Sequence, residues 1–273
     1  MTNTLVDPAV RTPMGQAPGG TTLRSANALA LRGLVSIKRL PAAFVPAMLM
    51  PIVQAVAFSG TFFAVTKIPG FPTDRSINWY LPLATSMGAG FTGVGLGFSA
   101  IRDLENGFFD RLRMAPTTRA SLLLGPLLSV WARVVLVVTV VLGVGLVMGA
   151  RVTGGPLGLV LLYVSAVGLS TVAAGWGLGL AYRFGDMRAA ALMQLTLFNG
   201  LFLTNAQTPL NVMTGWLHAI ARVNPLTNVL RLGRQGFLGT VTWENTWGGL
   251  VALVVLSALT LWFAMRGLAR LSR

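Results

Sequence analysis

Six runs of apolar residues divide the chain, over about 43–66, 80–100, 120–149, 157–181, 189–209 and 247–266. Each reaches about the 20 residues that an α-helix needs to cross the hydrocarbon core of a bilayer. The pattern predicts an all-α membrane protein, one domain with six transmembrane helices behind a flexible tail over 1–20. The third run exceeds a bilayer's thickness, which predicts a helix that tilts or projects into the cytoplasm.

Two further segments are structured but too polar to span. Residues 21–40 place Leu23, Ala30, Leu31, Leu34 and Ile37 near helical spacing, with Arg on much of the remainder. That fits an interfacial helix lying on the cytoplasmic leaflet; the competing reading is a polar tail. Residues 210–239 carry one apolar face in Trp216, Leu217, Ile220 and Ala221 and a second in Leu226, Val229, Leu230 and Phe237. The pair Asn224-Pro225 between them breaks a helix. Two short helices re-entering from the outer surface are expected, or else an interfacial loop.

Composition agrees with the pattern. The chain is 54% hydrophobic and 10% charged, against about 25% charged in soluble domains. The net charge of +14 could suggest nucleic acid in a soluble chain. Here the basic residues lie between apolar runs, which points instead to anionic lipid and the positive-inside effect; no nucleic-acid partner is expected. Arg11, Arg24, Arg32, Lys38 and Arg39 precede the first run, and Arg102, Arg111, Arg113 and Arg119 follow the second. Arg183, Arg188, Arg266, Arg270 and Arg273 fall on the same side, against Lys67, Arg75, Arg151, Arg222, Arg231 and Arg234 opposite. Both termini are therefore expected in the cytoplasm, in a plasma membrane. No compact apolar stretch precedes a cleavage site in the first 40 residues, so no cleavable signal peptide is expected.

Catalytic chemistry finds little to use. There is no Cys and one His, His218, so neither thiolate metal sites nor a His cluster can form. No phosphate-cradling loop of the G-x-x-x-x-G-K-[ST] kind is present. Ala89, Gly93 and Gly97, and Thr171, Gly175 and Gly179, instead recur every fourth residue within the second and fourth runs. Small residues at that spacing let helices approach closely, which predicts that these two helices are packing neighbours. Polar groups within the runs mark a possible pathway or interhelical hydrogen bonds: Gln54, Arg133, Gln194, Asn199, Asn205 and Gln207.

The stretch after the second run is different. It gathers Arg102, Asp103, Glu105, Asp110, Arg111 and Arg113 beside Phe108 and Phe109. Ile101, Leu104, Phe108 and Leu112 make a helical stripe, and Arg102–Glu105 and Asp110–Arg113 can pair at i,i+3. Gly107 would permit close backbone approach, and Pro116 ends the element. Mixed charge on one face and Phe on the other suit a docking element.

Two motifs carry a resemblance. Glu105, Gly107, Asp110, Leu112 and Pro116 fit E-x-G-x-x-[DE]-x-L-x-x-x-P, and Asn205 through Pro209 is followed by Asn224-Pro225-Leu226. The chain resembles, over nearly its whole length, the permease subunit of type-2 ABC exporters, within them the daunorubicin-resistance group. The resemblance implies a second permease chain, identical or homologous, and two copies of a cytoplasmic ATP-binding subunit. ATP and Mg would sit on that subunit and no cofactor on this chain. It also implies that residues 102–116 are a coupling helix seated in the ATPase. The cargo would be hydrophobic or amphipathic: a drug, antibiotic, lipid or glycolipid. A channel would require a selectivity-filter loop, and a secondary transporter an internal repeat or membrane-embedded ionisable residues; beyond Arg133 neither is evident.

Overall fold

The computed structural model describes residues 27, 30, 31, 41–107, 119–239 and 241–271. The tail over 1–20, nearly all of the expected interfacial helix over 21–40, and the stretch from Phe108 to Pro116 lie outside the described residues. The chain runs through α1 (Pro41–Thr61), a 3-10 turn (Phe63–Lys67), α2 (Ser76–Glu105), α3 (Arg119–Val147) and α4 (Gly155–Phe184). It continues through α5 (Arg188–Phe202), α6 (Gly215–Val223), α7 (Pro225–Leu238) and α8 (Trp243–Leu271). No strand occurs among the described residues.

Among the described residues three helices are long and apolar enough to cross a membrane: Leu122–Val147 in α3, Gly155–Phe184 and Trp243–Leu271. α2 is as long as α4 but carries Asn78, Thr85, Ser86 and Thr92 among its glycines. It tolerates them because it is the central helix, buried on nearly every side from Ser76 to Gly90. The hydroxyls of Thr85 and Ser86 return to Pro82 O, and that of Thr92 to Gly88 O. Polar side chains thus cost little where neighbours exclude lipid and the helix supplies the acceptor.

Close contacts fix the directions. Gly93 lies against Ser170 and Ala173, and Gly97 against Gly177, so α2 and α4 run parallel. Gly168 meets Leu253 and Gly175 meets Thr260, so α4 and α8 are parallel too. Against α2, the helices α1 (Ser59 with Ser76), α3 (Val137 with Gly88, Leu81 with Gly145) and α5 (Leu197 with Gly90, Met193 with Gly97) run antiparallel. Successive long helices therefore alternate in direction.

The fifth apolar run departs from expectation. It was expected as a helix to residue 209, but α5 stops at Phe202, about 22 Å of helix at 1.5 Å per residue. Thr204 and Asn205 are weak helix formers, and Pro209 disfavours helix at Thr208. The segment 210–239 forms two helices broken at Asn224, whose Oδ1 caps α7 through Leu226 N at 3.0 Å. Ala221, Val229, Leu230 and Phe237 are buried. Of the first apolar face, Trp216 is 71% exposed, because α6 lies on the surface with only its Ala221 side covered.

Candidate functional site

Beyond Phe202 the backbone is irregular, and its carbonyls need partners wherever lipid replaces water. Three distant residues supply them. Asn224 Nδ2 donates to Gly200 O at 2.8 Å and to Leu203 O at 2.9 Å, closing the end of α5. Tyr80, near the start of α2, donates its hydroxyl to Gln207 O at 3.0 Å. Between them Arg234 of α7, 1% exposed, spreads its guanidinium across three carbonyls. Nη1 donates to Asn205 O at 2.8 Å, Nη2 to Ala206 O at 2.6 Å and Nε to Trp79 O at 3.2 Å. The Trp79 ring lies 3.8 Å below the cation, replacing part of the hydration that burial removes.

A second knot lies beside it. Asn78 donates to Arg151 O and Phe237 O and accepts from Arg151 N at 2.9 Å, tying α2 to the α3–α4 connection and the end of α7. There α7 crosses α4 where Gly236 meets Gly158, and Gly154 N donates to Gly236 O at 2.8 Å. The broken end of α5 is thus locked to α2, α4 and α7.

The sequence-derived pathway residues fall in different places. Gln194 and Asn199 are exposed on α5, and neither side chain has a hydrogen-bond partner among the described residues. Asn205 is buried, with its side-chain oxygen unpartnered among the described residues. Gln207 is exposed, while Gln54 on α1 and Arg133 on α3 are half-buried. An apolar cavity of about 180 Å³ opens between α2, α4, α5, α7 and α8, lined by Val94, Leu169, Trp176, Leu197, Leu226 and Thr260.

The small-residue stripes divide between two neighbours. Gly93 and Gly97 receive α4, and Ala89 packs in the cluster that α2 shares with α3. Gly175 and Gly179 point to Thr260 and Phe263 of α8, and Thr171 accepts from Trp131 Nε1 of α3 at 2.9 Å. The face of α4 toward α2 is instead Ser170, Ala173, Ala174 and Gly177.

At the other end of α2 the helix closes at Glu105. Gly107 has φ +63°, and its N–H returns to Leu104 O at 3.2 Å, a left-handed C-terminal turn that favours glycine. A Cβ there would meet nothing within 4 Å among the described residues. Its glycine serves the turn. The turn also interrupts the expected stripe from Ile101 to Leu112. Arg102 and Glu105, expected as a pair, are both exposed and not bridged; Arg102 Nη2 donates to Ser99 Oγ at 3.3 Å. An ion pair in water contributes little, so nothing compels it. Asp103 is half-buried; Phe108, Phe109, Asp110, Arg111, Arg113 and Pro116 lie outside the described residues.

The sequence profile of the ABC-2 type transporter family matches residues 24–238. The chain belongs to that family. It is 28% identical to the daunorubicin resistance ABC transporter permease protein DrrB1 of Streptomyces coeruleorubidus, over 83% of this chain and 80% of the relative. It is 26% identical to the putative transport permease ycf38 of Pyropia yezoensis, over 88% and 82%. The probable multidrug ABC transporter permease YbhR of Escherichia coli (strain K12) is 24% identical over 67% of this chain and 52% of that protein. The chain is accordingly an integral membrane protein, the transmembrane subunit of an ABC transporter that works with an ATP-binding partner.

Proposed function

We propose that this permease, with a second permease chain and two copies of an ATP-binding subunit, exports a hydrophobic or amphipathic compound across the plasma membrane. The observation that carries the reading is the exposed amide pair Gln194 and Asn199 on α5. Lipid would leave those amides unsatisfied at several kcal/mol each, whereas a second permease or a polar-headed cargo satisfies them. The apolar cavity of about 180 Å³ is smaller than the roughly 300–1,000 Å³ that drug-sized ligands occupy. A complete path for such a cargo therefore takes its other wall from the second chain. The drug-resistance names of two relatives favour the same cargo class.

In this reading α1, α2, α3, α4, α5 and α8 make six crossings, supported by their alternating directions. The irregular segment 203–209 completes the fifth on the outer side. Both termini are cytoplasmic, and residues 102–116 transmit motion from the ATPase, which binds the ATP and Mg. The absence of cysteine from the chain makes the orientation simple to test. Single cysteines at Lys67, Arg151 and Arg222, all exposed, should react with an impermeant thiol reagent in intact cells, and one at Arg188 should not. Labelling at Arg188 with protection of the other three would invert the topology.

A further inference from the structure

At the ends of α4 and α8 a cavity of about 340 Å³ is lined by Tyr182, Arg183, Trp262, Arg266, Gly267 and Arg270, and no carboxylate among the described residues lines it. Trp262, Arg266 and Arg270 follow one another at i,i+4, so they share one face of α8. Arg183 comes from the last turn of α4. Gly267 lets the two helices meet, since a Cβ there would lie 2.9 Å from Tyr182 Cβ. All three arginines are exposed. Arg266 is stacked 3.8 Å from the centre of the Trp262 ring, itself 53% exposed. Asp103 of α2 acts electrostatically on Tyr182 but does not line the cavity.

Three guanidinium groups around one cavity repel one another, and arginines at i,i+4 destabilise their own helix. A bound anion removes that penalty. The setting narrows its chemistry. A half-exposed Trp beside arginines at the end of an apolar helix is the arrangement of a membrane–water interface, and basic pockets between membrane helices suit phospholipid headgroups. We propose that this cavity binds the phosphate of an anionic phospholipid. Arg266 and Arg270 engage the headgroup, Arg183 closes it from α4, and the acyl chains run beside Trp262. Placing the lipid in the inner leaflet rests on the orientation proposed above; its binding by this chain does not.

The test uses the full chain, without its ATP-binding partner, so its failure is separate from failure of the transport reading. Native mass spectrometry after release from nanodiscs of equal phosphatidylglycerol and phosphatidylcholine reads the retained lipid. The wild-type chain should retain phosphatidylglycerol preferentially. One basic residue near a charged lipid surface is worth about a fivefold preference, so Arg266→Gln with Arg270→Gln should weaken retention about 30-fold. The paired Lys variants should keep most of it, and Arg222→Gln at the opposite end of the molecule should change nothing. Size-exclusion chromatography reports folding of the Gln pair, and Arg270→Gln alone should show the roughly fivefold step. Equal retention of the two lipids by the wild type, or undiminished retention by the Gln variants, overturns the proposal. So does displacement of the lipid by excess inorganic phosphate, which would make this a plain anion site.

Discussion

Arg234→Met should cost on the order of 3–5 kcal/mol, a large share of the roughly 5–15 kcal/mol that holds a typical domain together. The carbonyls of Asn205, Ala206 and Trp79 lose a charged donor together. No water is at hand to replace it, because Arg234 is 1% exposed. Methionine fills much of the volume but donates nothing. Arg234→Lys should recover less than half of the loss, since an ammonium cannot reproduce the planar fork that reaches three carbonyls. Denaturant unfolding of the purified chain in detergent measures both. A loss below about 1 kcal/mol for the Met variant, as for an ordinary surface substitution, would show that the arginine does not hold the broken segment.

Gly236→Val should lower stability by about 3 kcal/mol, near the upper end of what overpacking usually costs. A Cβ at Gly236 would lie 2.6 Å from Gly158 O and 2.7 Å from Gly158 C. Both are backbone atoms, so no side-chain rotation relieves the clash, and α7 must move off α4. That shift would carry Phe237 away from the Asn78 amide that donates to its carbonyl at 3.1 Å. Gly143→Ala in α3 is the control. Nothing lies within 4 Å of its added Cβ among the described residues, and alanine gains up to about 1 kcal/mol over glycine within a helix. The two substitutions should therefore shift the unfolding midpoint in opposite directions. Equal shifts would mean that the α4–α7 crossing is looser than its geometry implies.

These two residues also show where sequence reasoning stops. Helix positions were legible because each depends on its own residues: apolar runs, and Pro225 after Asn224. The end of α5 was less so, since a count of apolar residues passes over Thr204 and Asn205 without asking where their carbonyls find donors. Arg234 reads in sequence as one more basic residue of an outer segment. Its burial depends on carbonyls 28 and 29 residues away and on Trp79, 155 residues away, and no local spacing announces that. Gly158 and Gly236 belong to neither of the fourth-residue stripes singled out in the sequence, so periodicity does not mark them. The stripe at Gly175 and Gly179 was visible but not its partner, because α4 carries small residues on two faces and the sequence does not say which neighbour each receives. The exposed Gln194 and Asn199 gain meaning only once α5 shows which face it turns away from its own chain.

This membrane chain is expected to draw its energy from a separate ATP-binding subunit. Purification of the tagged chain from native membranes in mild detergent, followed by complex mass and ATP hydrolysis, tests it most directly. Two permease chains with two ABC-type ATP-binding subunits should emerge, with hydrolysis that disappears when those subunits are stripped away. A chain that emerges without any such subunit, and in vesicles moves its cargo with no nucleotide present, would contradict it.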